Sequence, residues 1–228
     1  MQEDQVLKKV EVLARPTYDK LKVWAHGWLH VVKVVEAAGR IAKAEKADIV
    51  ACKIAAYCHD LGRLEEEEKG LVNTAPGSLS SHAVLGVKPT EKILDKVGIS
   101  GKTREQIIEA VKFHNVRKYE GDNKILAILQ DADRVDGFSK MAILRFAAFN
   151  LELPIDPPKN KEDIDKKFIL LDKQLKSDAE KSRKMIKVLD FVIVWYEDLI
   201  NLRSTAKICR NGYLFTKNYC QQLVKNLI

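Results

Sequence analysis

Apolar residues recur at spacings of three and four along nearly the whole chain, and no segment shows the strict alternation of a half-buried strand. That periodicity predicts an all-α fold, because each such segment must bury one stripe of a helix against its neighbours. With 11 Gly and 6 Pro among 228 residues, breaks are few and low-complexity stretches are absent. The breaks divide the chain into helices over Glu3–Ala14, ended by Pro16, and Asp19–Lys46. Asp48 caps a further helix through IVACKIAAYCHD, and Gly62 relaxes its end. Residues 63–79 read as a loop, and a helix starts at Ser80 or Ser81, runs to Val97 and stops at Gly98. Thr103, with Gln106 as its capping-box partner, opens a helix to about His114. KILAILQDADRVD and MAILRFAAFN are helical, and the prolines of LELPIDPPKN close the region. Helices over Glu162–Lys176, Ser177–Arg203 and Lys207–Ile228 complete the expectation: residues 1–150 as a bundle, 151–228 as a helical extension packed on the same body.

Composition removes several classes of function. The four cysteines, Cys52, Cys58, Cys209 and Cys220, form no CxxC pair, which excludes a zinc finger or a thioredoxin-like site. The polar N-terminus lacks the apolar stretch of a signal peptide, and the run VLDFVIVWY is too short to cross a bilayer. These features lead us to expect a reduced, cytoplasmic protein. The net charge of +7 suits anionic ligands, but the basic residues are scattered among acidic ones, so nucleic acid is not the expected partner.

The chemistry lies in a set of buried-context polar residues. His59-Asp60 ends an apolar helix in AAYCHDLGR. A charge in such a setting requires a partner, and imidazole with carboxylate suits a divalent transition metal. His30 lies upstream in HGWLHVVKVVEAA, and Asp131, Asp133 and Asp136 lie downstream in a segment otherwise fit for a core, LQDADRVDGF. His82 opens the segment SHAVLGVKPTEKIL, and His114 ends IIEAVKFH. His26, four residues before His30, is expected on the same helical face, at the pocket mouth.

A helix His, then His-Asp, then a distant Asp in an ADRL-like context resembles the HD superfamily of metal-dependent phosphohydrolases. His30, His59, Asp60 and Asp133 match those positions, and His82 and His114 match the segments that add a second metal in binuclear members. The resemblance covers residues 26–150. It implies an all-α HD bundle holding one or two ions of Fe, Mn, Zn, Co or Ni. One ion would take His30, His59, Asp60 and Asp133; the other would take Asp60, His82 and His114, with Asp60 bridging. It further implies hydrolysis of a phosphoester or phosphoanhydride, first of all in a nucleotide, by metal-bound hydroxide, with Asp60 as the catalytic carboxylate. A di-iron oxygenase and a silent nucleotide- or protein-binding module are the alternatives. HDLGR departs from the HDIGK of the cyclic-di-GMP branch, and no GYP follows.

Arg63 matches a position that contacts phosphate in the binuclear group, with pairing to Glu65–Glu68 as the other reading. Arg134 either pairs with Asp131 or reaches substrate, and His26 is expected to touch substrate. Arg117, Lys118 and Lys140 enter only by nearness to the motifs. The expected partner is a small phosphate-bearing molecule, not a membrane, and a homo-oligomer is compatible with the sequence.

Overall fold

The computed structural model describes residues 3–71, 81–117 and 120–227, and among them it contains helices and no strand. The first bundle comprises α1 (Glu3–Tyr18), α2 (Trp28–Ala44), α3 (Ile49–Cys58), α4 (Arg63–Glu68), α5 (Ser81–Leu85), α6 (Val87–Val97), α7 (Gly101–Phe113) and α8 (Lys124–Asp136). It is followed by α9 (Lys140–Asn150), α10 (Lys161–Ser177), α11 (Ala179–Val194), which runs into a π-helical turn over Trp195–Leu199, and α12 (Arg203–Lys225).

At the centre, α3 is packed by α1, α2, α7 and α8. Its small residues Ala51, Cys52, Ala55, Ala56 and Cys58 are buried, which lets the surrounding helices come close. Val31, Val34, Val35, Ala38 and Ile41 of α2 and Leu126, Ile128 and Leu129 of α8 fill the same core. A second cluster joins Ile143, Leu144 and Ala147 of α9 to Phe168, Leu171, Met185, Leu189 and Tyr219 of the later helices. Buried polar groups stitch the two together. Asp131 accepts the backbone N–H of Asn201 at 2.8 Å and of Leu202 at 3.0 Å. Gly212 of α12 sits so close to α8's exit that a Cβ there would stand 2.4 Å from the Phe138 carbonyl.

Several boundaries differ from expectation for identifiable reasons. Pro16 does not end α1. The hydrogen bond it deletes would fall on Val12, which is 64% exposed, so water can serve that carbonyl. The last turn is held by buried Tyr18, whose hydroxyl donates to the Tyr57 carbonyl at 2.8 Å. The Asp19–Lys46 helix begins only at Trp28, because Trp24–His26 form a 3₁₀ turn pinned from outside. Trp24 Nε1 donates to Ile155 O at 2.6 Å, and Arg145 Nη1 donates to the Ala25 carbonyl. The proposed loop contains α4 at its start, and the rest of its turn chemistry, NTAPGS, lies outside the described residues. Gly86 divides the 81–97 segment into two helices, and Gly98 stops it at φ 75°. The next helix starts at Gly101 with Ser100 at its N-cap, two residues before Thr103, and Gln106 takes no capping role. Asp48 caps α3 as expected, accepting from Ala51 N at 2.9 Å.

Candidate metal centre

Gly62 explains how HDLG builds half of the centre. Its backbone is ordinary right-handed helix, φ −76° and ψ −9°, so it does not relax a helix end. A Cβ there would lie 2.0 Å from the His82 carbonyl and 2.5 Å from Gly86 N. Only glycine lets the chain after Asp60 touch the turn that carries His82.

His30, His59, Asp60, His82, His114 and Asp133 converge at one place. Asp60 is 2% exposed, and its two oxygens face opposite ways. Oδ2 stands 3.4 Å from His59 Nε2 and 3.9 Å from His30 Nε2. Oδ1 stands 3.4 Å from His82 Nε2 and 3.8 Å from His114 Nε2. Asp133 Oδ1 approaches His30 Nε2 to 3.3 Å. Among the described residues three overlapping groups therefore have the reach to hold an ion: His30, His59 and Asp133 on one side, Asp60, His82 and His114 on the other, and His26, His30 and Asp60 at the mouth.

The imidazoles are pre-set for coordination. Nδ1 of His59 donates to the Ala56 carbonyl and Nδ1 of His114 to the Val111 carbonyl, each at 2.8 Å. His30 Nδ1 faces Asp136 Oδ2 at 2.8 Å, and His82 Nδ1 faces Glu66 Oε1 at 3.3 Å. With Nδ1 committed outward, each ring points Nε2 inward, the nitrogen whose lone pair a metal would take in place of a proton. The inward nitrogens approach one another pairwise, His30 to His59 at 3.3 Å and His82 to His114 at 3.4 Å. Lone pairs and carboxylate oxygens crowded this way need cations between them, and outward-bonded histidines are the usual support of metal ligands. The donor set thus fits one or two divalent ions.

The titration of these groups follows the same crowding. Burial alone would raise the Asp60 carboxyl, but Arg63 and His59 outweigh it and hold it well below the usual carboxylate range. Burial works against a charged His59, yet Asp60 and Asp133 push it up to about 9. Glu66, opposed by burial but bonded by His82 and Ser81, falls to about 2.

The other named residues divide. His26 is on the 3₁₀ turn and not on the face of α2, but it still reaches the cluster. Its Nδ1 comes within 3.4 Å of Asp60 Oδ2, unaligned for a hydrogen bond, and its ring meets Phe149 edge-on at 5.0 Å. Burial and the Arg63 charge push it down to about 3. Side-chain exposures of 35% at Asp133, 24% at His26 and 20% at Arg63 mark the mouth. Arg63 spans Asp60 and Glu66, so of the four glutamates at 65–68 it pairs with Glu66, and its second acidic partner is Asp60.

Arg134 is not at the site. Its guanidinium is turned away from the cluster and donates to the Leu199 and Arg117 carbonyls beside Asp131. Lys140 pairs with Asp165 away from the cluster, Arg117 is exposed, and Lys118 lies outside the described residues.

Three supporting roles escaped the sequence reading, which named Asp136 among the acids of a core-like segment but gave it no part in the site. Asp136 orients His30 and is gripped by Arg145 Nη2 at 2.6 Å. Glu66 orients His82, and Arg145 also holds the turn carrying His26. A signal for Asp136 existed in its three-residue spacing from Asp133, which puts both on one face of α8. Glu66 was hidden among four consecutive glutamates.

The HD-domain family matches residues 27–137. Residues 27–137 are an HD domain. Among solved structures it is similar to Bacillus subtilis YpgQ in complex with ADP, with 19% identity, a TM-score of 0.60 and coverage of 99% of this chain and 97% of that one. A second similar structure is described as a predicted HD superfamily hydrolase from an uncultured Thermotogales bacterium. It shares 23% identity and a TM-score of 0.51 over 76% of this chain and 89% of that chain. At these identities the likeness shows a shared fold. No curated protein sequence matches the chain. Among the described residues, no helix is long and apolar enough to cross a membrane.

Proposed function

We propose that this HD domain is a metal-dependent phosphohydrolase acting on a phosphoester or phosphoanhydride, with nucleotides as the substrate class. One observation carries the reading: the two oxygens of buried Asp60 each face a separate pair of histidine Nε2 atoms. His30, His59, Asp60 and Asp133 would hold one ion, and Asp60, His82 and His114 the other. Bound divalent ions would supply an activated water near neutral pH and offset charge on the phosphate oxygens.

The chain's own residues do the rest. Asp60 fixes the spacing of the two positions. Asp136 and Glu66 hold the rings of His30 and His82 in the orientation that presents Nε2. His26 and Arg63, at the mouth, meet the substrate, and Arg63 has the forked donors that match a phosphate. The positive net charge favours an anionic substrate, and the ADP complex of YpgQ supports a nucleotide. The four free, buried cysteines suit a cytoplasmic setting, and residues 151–228 are read as an extension of the same body.

The test is metal content by elemental mass spectrometry on protein purified without chelator, followed by a nucleotide hydrolysis panel. Fe, Mn, Zn, Co or Ni near two equivalents, with phosphate release, supports the proposal. Iron with substrate-dependent oxygen consumption would replace it by di-iron oxidation. Tight nucleotide binding with no turnover at any metal load would replace it by a binding module.

A further inference from the structure

Arg63 stands where the second ion's charge would be needed. Its Nε lies 3.3 Å from Asp60 Oδ1, the same oxygen that His82 and His114 face. Its Nη1 donates to Glu66 Oε2 at 2.8 Å, while the other oxygen of Glu66 faces His82. The Oδ2 side has no such cation. Among the described residues, no lysine or arginine forms an ion pair with Asp60 Oδ2 or with Asp133. Arg145, behind His30, is engaged by Asp136.

A guanidinium and a divalent ion on one carboxylate oxygen repel strongly in a site this buried. Oδ1 therefore serves one or the other. Arg63 also has somewhere else to go. Its side chain is 20% exposed at the mouth, and its Nη2 makes no hydrogen bond among the described residues. A phosphate arriving at the mouth offers the forked acceptor that a guanidinium prefers over a single oxygen at 3.3 Å.

We propose that Arg63 guards the second metal position: it holds Asp60 Oδ1 until a substrate phosphate takes up the guanidinium, and only then does the second ion bind tightly. This rests on the two-position reading of the centre. The consequence is positive coupling between anion and second ion, and linkage makes it reciprocal: the second ion tightens phosphate binding by the same factor.

The experiment is a Mn²⁺ titration of the full chain, followed by the free-ion electron paramagnetic resonance signal, with and without inorganic phosphate. Wild type should bind one equivalent tightly and a second at least about tenfold more weakly, a gap in the range of ordinary coupling energies. Phosphate should close most of that gap. Arg63→Gln should bind the second equivalent about tenfold more tightly than wild type without phosphate, and phosphate should add nothing further. Arg63→Lys should restore part of the phosphate response.

An Arg63→Gln second site as weak as that of wild type would overturn the guard. So would a wild-type second site indifferent to phosphate, a result that requires no variant to fold. Failure of wild type and Arg63→Gln alike to bind more than one equivalent would instead remove the two-position reading, and the guard with it.

Discussion

The two sides of Asp60 are built differently. The Oδ2 side draws His30, His59 and Asp133 from α2, the end of α3 and α8, three helices packed against one another in the main core. It has a carboxylate of its own in Asp133, and His30 is backed by Asp136, itself clamped to Arg145. The Oδ1 side draws His82 from α5, a helix of five residues, and His114 from the end of α7. Among the described residues it has no inward-facing carboxylate besides Asp60, its backing group Glu66 is longer at 3.3 Å, and it faces Arg63. One side is held by helix packing, the other by a close backbone approach at Gly62. The comparison teaches that a pseudo-symmetric ligand set can be unequal in charge and in rigidity, and so in affinity.

The largest effect should come from Asp60→Ala, which removes the shared carboxylate and with it one oxygen from each side. Elemental analysis should find both equivalents lost, and phosphate release should fall to background. Full activity in that variant would break the mechanism. His82→Ala should separate the sides, losing one equivalent of metal and keeping the other. Loss of both would show that the sides are not independent. Asp136→Asn should weaken only the Oδ2 side, by about 10–100-fold in metal affinity, as removal of a histidine's outer partner generally does. A titration in which the weaker site changes instead would reverse the assignment. Gly62→Ala should be the smallest change in chemistry. Displacing the His82 backbone should cost about 1–3 kcal/mol of stability by thermal unfolding and loosen only the second equivalent. An unchanged second site there would detach Gly62 from the centre.

Much of the centre was legible in the chain because it rests on residue types that a core does not otherwise tolerate. His59-Asp60 at the end of an apolar helix and Asp133 inside one require a partner, and the structure brings the expected ligands together. The helices were legible for the same reason, since their apolar stripes are strong. What was not legible depends on contacts between distant segments. Pro16 looks like a break until Tyr18 is seen bonded to Tyr57. Asp19 to Gly27 carries helix-like periodicity, but Ile155 and Arg145, more than a hundred residues later, pin it as a turn. Arg134 beside a ligand reads as a substrate group, but the carbonyls of Leu199 and Arg117, with Asp131 one turn back, draw its guanidinium away from the cluster. Gly62 follows an apparent helix end, yet its role is set by a carbonyl twenty residues away in sequence.

Asp131 has a consequence for how the chain is made. It is fully buried on α8, two residues from Asp133, and its oxygens are filled by N–H groups of Asn201 and Leu202. During synthesis from the N-terminus, α8 leaves the ribosome some seventy residues before those donors exist. Until they arrive, the helix bearing Asp133 carries a carboxylate that must stay hydrated or lose its charge. Vectorial synthesis thus leaves the bundle's last closure to a segment far downstream. A chain cut short before residue 201 would keep all six inward-facing ligand residues and still lack the donors that let α8 settle in place.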